Sequence, residues 1–162
     1  MARELYEGFA LQAVDEDKGR VAIPADLRAA IERNSDLKTV VVGKHPHANC
    51  LTAHDQGWSQ QKYDRIDDPS QSMFDAGSDG AAGAKRRAFG AVERSQFDGS
   101  GRFILSPFFR AKAKIGRWAF FCGTGDSFEI WSPEVLMATT GPEFEDIREI
   151  CEFLCQQKGV AL

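Results

Sequence analysis

Residues 15–28 read DEDKGRVAIPADLR: a glycine–arginine pair in an acidic turn, a short apolar strand, a proline and the start of a helix. The pattern recurs once, as DGSGRFILSPFFR at residues 98–110. Four positions keep one offset, because Glu16 and Asp98, Gly19 and Gly101, Arg20 and Arg102, and Arg28 and Arg110 each lie 82 residues apart. Downstream, KTVVVGK from Lys38 answers RWAFFCG from Arg117. CLTAH from Cys50 answers SFEIWS from Ser127, with Leu51 opposite Phe128 and Ala53 opposite Ile130. The chain is an internal duplication. Two copies are too few for a stacked solenoid, so they are expected to share one core.

In each copy an apolar strand leads into a turn at Gly19 or Gly101, and a second strand, RVAIP or RFILSP, stops at a proline that cannot donate to a sheet ladder. Pro24 then opens a helix in which Leu27, Ala30 and Ile31 recur at helical spacing, and FFRAKAKI takes its place in the second copy. Each repeat thus reads strand, turn, strand, short helix, strand, turn, strand. The segment YDRIDDPSQSMFDAGSDGAAGAK from Tyr63 has little periodicity and reads as a connector, with a helix from Ala84 returning the chain. GPEFEDIREICEFLCQQ places Phe144, Ile147, Ile150, Cys151 and Leu154 on one helix face. The expected division is a first unit at 5–58, a helix and acidic, glycine-rich connector at 59–90, a second unit at 91–138, and an acidic amphipathic helix at 139–162. The strands VAI and FIL with Phe120 and Phe121 predict apolar subunit interfaces.

With 162 residues, 43% of them hydrophobic, the chain can bury a core. It has no apolar run long enough for a membrane span, and its first residues lack a basic then apolar secretory pattern. A cytoplasmic protein with four reduced cysteines, Cys50, Cys122, Cys151 and Cys155, is expected. The net charge of −4 argues against a nucleic-acid partner until it is divided along the chain. Residues 82–117 carry +7 and residues 118–162 carry −6. Local potential, not the total, steers a partner.

Strand, acidic turn, Gly-Arg, apolar strand, proline, and a helix bearing an arginine eight residues on: this resembles the SpoVT-AbrB type of DNA-binding unit. Two such units followed by EIW resemble the MraZ family of bacterial regulators, over roughly residues 5–140. The resemblance implies an α+β, β-rich fold in which duplicated swapped-hairpin half-barrels form a compact pseudo-twofold core with short helices. It also implies a sequence-specific transcriptional regulator that binds double-stranded promoter DNA, at short direct repeats before the division and cell-wall gene cluster and its own gene. A closed ring of identical subunits, associated with the nucleoid, belongs to the same expectation. No cofactor and no enzymatic activity are implied. The first turn departs from the family pattern: Glu16 stands four residues before Arg20 but is flanked by Asp15 and Asp17, and the strand before it is one residue out of phase, so an insertion or bulge near Asp15 is expected.

A guanidinium held at a glycine turn can bond a phosphate or the O6 and N7 of guanine, and a neighbouring carboxylate restricts its rotamers before binding. The expected DNA-contacting residues are Lys18, Arg20 and Arg28 in the first copy and Arg102, Arg110 and Lys112 in the second, with Glu16 and Asp98 orienting the arginines. The same pairs also suit salt bridges that merely close a turn, in a module that binds other proteins. His45, His47, Cys50 and His54 have a spacing that could hold zinc, although a loop and a buried thiol explain them as well. The glycines before Lys85 lack the Gly-Lys-Ser/Thr ending of a phosphate loop. No nucleophile, base and orienting group stand in an arrangement that points to catalysis.

Overall fold

The structure, a computed structural model, describes residues 2–68 and 80–162. The first repeat contributes β1 (Phe9–Ala13), β2 (Arg20–Ala22), α1 (Ala25–Ser35), β3 (Thr39–Lys44) and β4 (Leu51–Asp55). Next come α2 (Trp58–Asp67), α3 (Gly80–Lys85) and a π-helical turn, Arg86–Gly90. The second repeat follows as β5 (Val92–Gln96), β6 (Arg102–Ile104), α4 (Pro107–Ala113), β7 (Trp118–Gly123) and β8 (Phe128–Trp131). The chain closes with α5 (Pro133–Ala138), a 3-10 turn and α6 (Glu145–Gln157). The expected order of elements is found in both repeats, and the fold is α+β with antiparallel strand pairs throughout.

The six-stranded sheet runs β1-β7-β8-β4-β3-β5, and β2 pairs with β6 in a separate ribbon. Each repeat's opening strand therefore lies on the third strand of the other repeat: β1 on β7, and β5 on β3. The pairings obey a twofold relation. Arg20 faces Ile104 while Arg102 faces Ala22, and Leu51 faces Ile130 while Ala53 faces Phe128. The self-related pairs Val21–Phe103 and Thr52–Glu129 mark its axis.

Before the first turn the repeats align with an offset of 83: Val14 donates to the Arg117 carbonyl at 2.8 Å, as Phe97 does to that of Lys38 at 3.0 Å. From Gly19 to Arg28 the offset is 82. The expected insertion thus lies inside the first turn, where Asp15 and Arg20 enclose four residues and Asp98 and Arg102 enclose three.

Alternation and helical period together fill one central core. Val21, Ile23, Leu27, Phe103, Leu105 and Phe121 are all buried in it. This corrects the expectation that VAI, FIL, Phe120 and Phe121 face other subunits: only Ile104 among them is open, at 52% exposure. Phe120 belongs to a second cluster on the outer face of the sheet, with Leu11, Cys122 and Trp131, and there α6 covers them with Cys151 and Cys155. All four cysteines are buried free thiols gathered in this cluster. Burial raises each of them, Cys151 to about 12.

Tyr63 to Asp67, read from sequence as connector, belong to α2. Ring contacts anchor the helix: the guanidiniums of Arg3 and Arg65 lie over the Trp58 ring, at 5.1 and 4.8 Å, and Tyr63 meets Phe89 at 5.9 Å. The middle of the expected connector, residues 69–79, lies outside the described residues.

Candidate nucleic-acid interface

The β2–β6 ribbon buries one face and opens the other. Val21 and Phe103 point into the core, so the period-2 rule sends Arg20, Ala22, Arg102 and Ile104 together to the outer face. Arg20 and Arg102 are diagonal neighbours across the pair, which places the two residues about 7–8 Å apart, within reach of long side chains. Their side chains are 47% and 53% exposed. Two guanidiniums from distant parts of the chain thus share one solvent face.

Each arginine is oriented by an aspartate at the start of its turn. Arg20 Nε and Nη2 donate to Asp15 Oδ2 at 3.1 and 3.0 Å, and Arg102 Nε donates to Asp98 Oδ2 at 3.1 Å. The other carboxylate oxygen accepts backbone N–H groups: Asp17 N to Asp15 at 2.9 Å, and Ser100 N and Arg102 N to Asp98 at 2.9 and 3.0 Å. The Arg20 hydrogen bonds hold Asp15 below its ordinary range, and the Arg102 backbone N–H does most to lower Asp98. Gly19 and Gly101 take φ values of +75° and +82°, which only glycine adopts without strain.

Asp98 stands where the sequence expects it. Glu16 does not: its carboxylate pairs with Arg117 at 3.0 Å, and Asp15 takes the orienting role. The extra residue in the first turn is the cause. It shifts the structural equivalent of Asp98 from Glu16 to Asp15, and two adjacent acids conceal that shift in the sequence.

The helix arginines are crossed over. Arg110 lies over Gly19, where an added β-carbon would be 2.6 Å from its Nε, and this Nε donates to the Leu105 carbonyl at 3.0 Å. Arg28 lies over Gly101 in the same manner. Each therefore flanks the turn of the other repeat, not its own, because the Gly19 and Gly101 carbonyls accept from Leu105 and Ile23 of the opposite repeat, both at 2.9 Å. Lys18 is exposed in the first turn beside Arg20. Lys112 is not brought to a turn. Two residues along a helix rotate it about 200° from Arg110, and it lines a separate groove with Lys44, Lys62 and Arg87. Ile104, which the motif alone does not single out, sits on the arginine face. Its alternation with Arg102 is the signal that finds it.

The histidine cluster does not converge on a metal. His45 Nδ1 accepts from the His47 and Ala48 amides and its Nε2 lies 3.3 Å from Glu129; His54 bonds the Asp55 carbonyl and Lys62; Cys50 is buried under α6. Among the described residues no group of three or more side chains is placed to hold a metal ion, and no helix is long and apolar enough to cross a membrane.

Residues 88–135 match a family model described as "MraZ protein, putative antitoxin-like". A Thermomicrobium roseum protein named Transcriptional regulator MraZ is 33% identical over 144 residues, covering 85% of this chain and 93% of the relative. A protein of the same name from Oleidesulfovibrio alaskensis is 30% identical over 147 residues, with 89% and 91% covered. Another from Rhodospirillum rubrum is 29% identical over 127 residues, with 76% and 77% covered. With relatives at 33% and 30% identity covered over most of their length, the chain belongs to the MraZ family of transcriptional regulators.

Proposed function

We propose that the open face of the β2–β6 ribbon reads duplex DNA and that the protein is a sequence-specific transcriptional regulator, not an enzyme. The carrying observation is the pair Arg20 and Arg102, aspartate-oriented and side by side on one exposed face. A β-ribbon fits the major groove, and each planar guanidinium can bond guanine bidentately. Arg28, Arg110 and Lys18 add positive charge beside the turns for phosphate contacts, and Ile104 offers apolar contact to a thymine methyl. The names of the relatives support the same reading.

One ribbon offers few contacts, so affinity calls for several ribbons on one assembly. The repeats are SpoVT-AbrB-type swapped-hairpin half-barrels, and identical chains close into a ring that meets short direct repeats in the promoter of the division and cell-wall gene cluster, including the protein's own gene. Exposed Leu5, Phe9, Leu37 and Phe108 supply apolar surface for contact between copies. The ring works in the cytoplasm, on the nucleoid. A gel shift of the full chain with DNA from immediately upstream of its own gene tests the reading. Preferential binding is expected, with log affinity falling against log salt by about 0.9 per neutralised phosphate. Equal binding to unrelated DNA of the same length would overturn it.

A further inference from the structure

The twofold relation between the repeats breaks on the outer face of the sheet. On the half of the sheet formed by β1, β7 and β8 that face carries Leu11, Phe120, Cys122 and Trp131, packed under α6. The equivalent positions on the half formed by β5, β3 and β4, read from the strand registers, are Arg94, Val41, Gly43 and His54. Two large apolar side chains have become a valine and a histidine, a thiol has become a glycine, and a leucine an arginine. Helix α2 and the π-helical turn cover this face without filling it, and a groove of about 850 Å³ remains. That volume falls within the range of small-molecule sites.

The groove is lined by Lys44, Lys62, Arg87 and Lys112, together with apolar groups such as Ile66 and Val92, and by no carboxylate. None of the four cations has an ion-pair partner among the described residues. Lys62 is half-buried and hydrogen-bonds a neutral imidazole, His54 Nε2, at 2.9 Å. Burial lowers it to about 8. Lys44 Nζ donates to the His45 and Ala48 carbonyls, and the four cations on one concave, partly apolar lining have no anion there to offset their repulsion.

We propose that this groove binds a phosphate-bearing small molecule with an apolar or planar body, of which a nucleotide is the simplest case. The phosphate sits among Lys44, Lys62, Arg87 and Lys112, and the body lies against Ile66 and Val92. The site does not depend on the DNA reading of the ribbon.

Calorimetric titration of the full chain with ATP, pyrophosphate and adenosine tests it. Saturable binding of ATP at one site per chain is expected, weaker binding of pyrophosphate, and none of adenosine. Lys62→Gln and Arg87→Gln should each weaken ATP about tenfold, the loss of one charge-assisted hydrogen bond, and Arg20→Gln should leave it unchanged. Arg87 is exposed, so its variant keeps the fold and the test stands even if Lys62→Gln perturbs α2. Absence of saturable ATP binding overturns the proposal, as does ATP binding that Arg20→Gln abolishes or that neither groove variant weakens. Pyrophosphate binding as tight as ATP removes the apolar half of the site. If the groove variants weaken duplex DNA while ATP binding is unchanged, the cations form a phosphate track for nucleic acid and the proposal falls.

Discussion

Arg110 lies across the backbone of Gly19, 91 positions earlier in the chain and in the other repeat, so close that no side chain fits between them. The contact ties helix α4 to the turn that aims Arg20. Its twofold counterpart, Arg28 across Gly101, ties α1 to the turn of Arg102. The two arginine turns are each built from both halves of the chain.

Gly19→Ala should therefore act twice. The β-carbon meets Arg110 Nε at 2.6 Å and the Leu105 carbonyl at 2.8 Å, and the φ of +75° is unfavourable for any L side chain by about 1–2 kcal/mol. We expect a lower melting temperature together with weaker DNA binding. Unchanged stability in a thermal melt would contradict the packing of Arg110 on the turn.

Exchanging the acids of the first turn separates their roles. Arg20→Ala should weaken DNA binding by about 1–3 kcal/mol for each base that the guanidinium no longer reads and leave the melting temperature nearly unmoved, since the pair with Asp15 is solvent-exposed. Asp15→Asn should weaken binding less, by freeing the Arg20 rotamers. Glu16→Gln should leave it unchanged, because Glu16 faces Arg117. Electrophoretic shifts of the three variants decide the order, and a Glu16→Gln effect exceeding that of Asp15→Asn would restore the sequence-based assignment.

His54 makes stability depend on mild acid. Burial, and then the Lys62 ammonium at 2.9 Å, push it down to about 4 from an ordinary 6.5. The unfolded chain takes up the proton first, so this contribution is complete above pH 6.5 and is lost as the pH falls toward 4. Denaturant melts of His54→Gln should show a flatter pH dependence than the parent across that window. Parallel profiles would place the imidazole in solvent.

Removing residues 141–162 should cost several kcal/mol, at about 1.5–3 kcal/mol for each large apolar side chain returned to water. Trp131, Phe120 and Cys122 lose the cover of α6. Glu145, Glu149 and Glu152 point outward from that helix, and DNA affinity should be similar once folding is restored. Tighter binding at low salt would instead show that the acidic tail competes for the basic surface. Light scattering of the full chain and the truncated one should both report an oligomer, and a monomer at micromolar concentration would remove the ring.

The sequence by itself determined what depends on neighbours along the chain. Duplication, the order of elements, the buried stripe of α1 at Leu27, Ala30 and Ile31, the packed face of α6, and Arg20 and Arg102 after their glycines all follow from spacing and side-chain chemistry. Tertiary structure decided what depends on a choice of partner. Alternation says which face of β1 is buried but not that β7 covers its edge, because a pairing within its own repeat would bury the same residues. Strand exchange then carries Arg110 to Gly19 and Arg28 to Gly101, which no offset of 82 reveals. A single inserted residue hands the orienting role from Glu16 to Asp15, since hydrogen-bond reach is set by turn geometry and both candidates are acids. Lys112 leaves the turn because helical rotation, not proximity in sequence to Arg110, sets its direction. The four cysteines meet only once α6 folds back on the sheet, a contact fixed by which outer face remains uncovered.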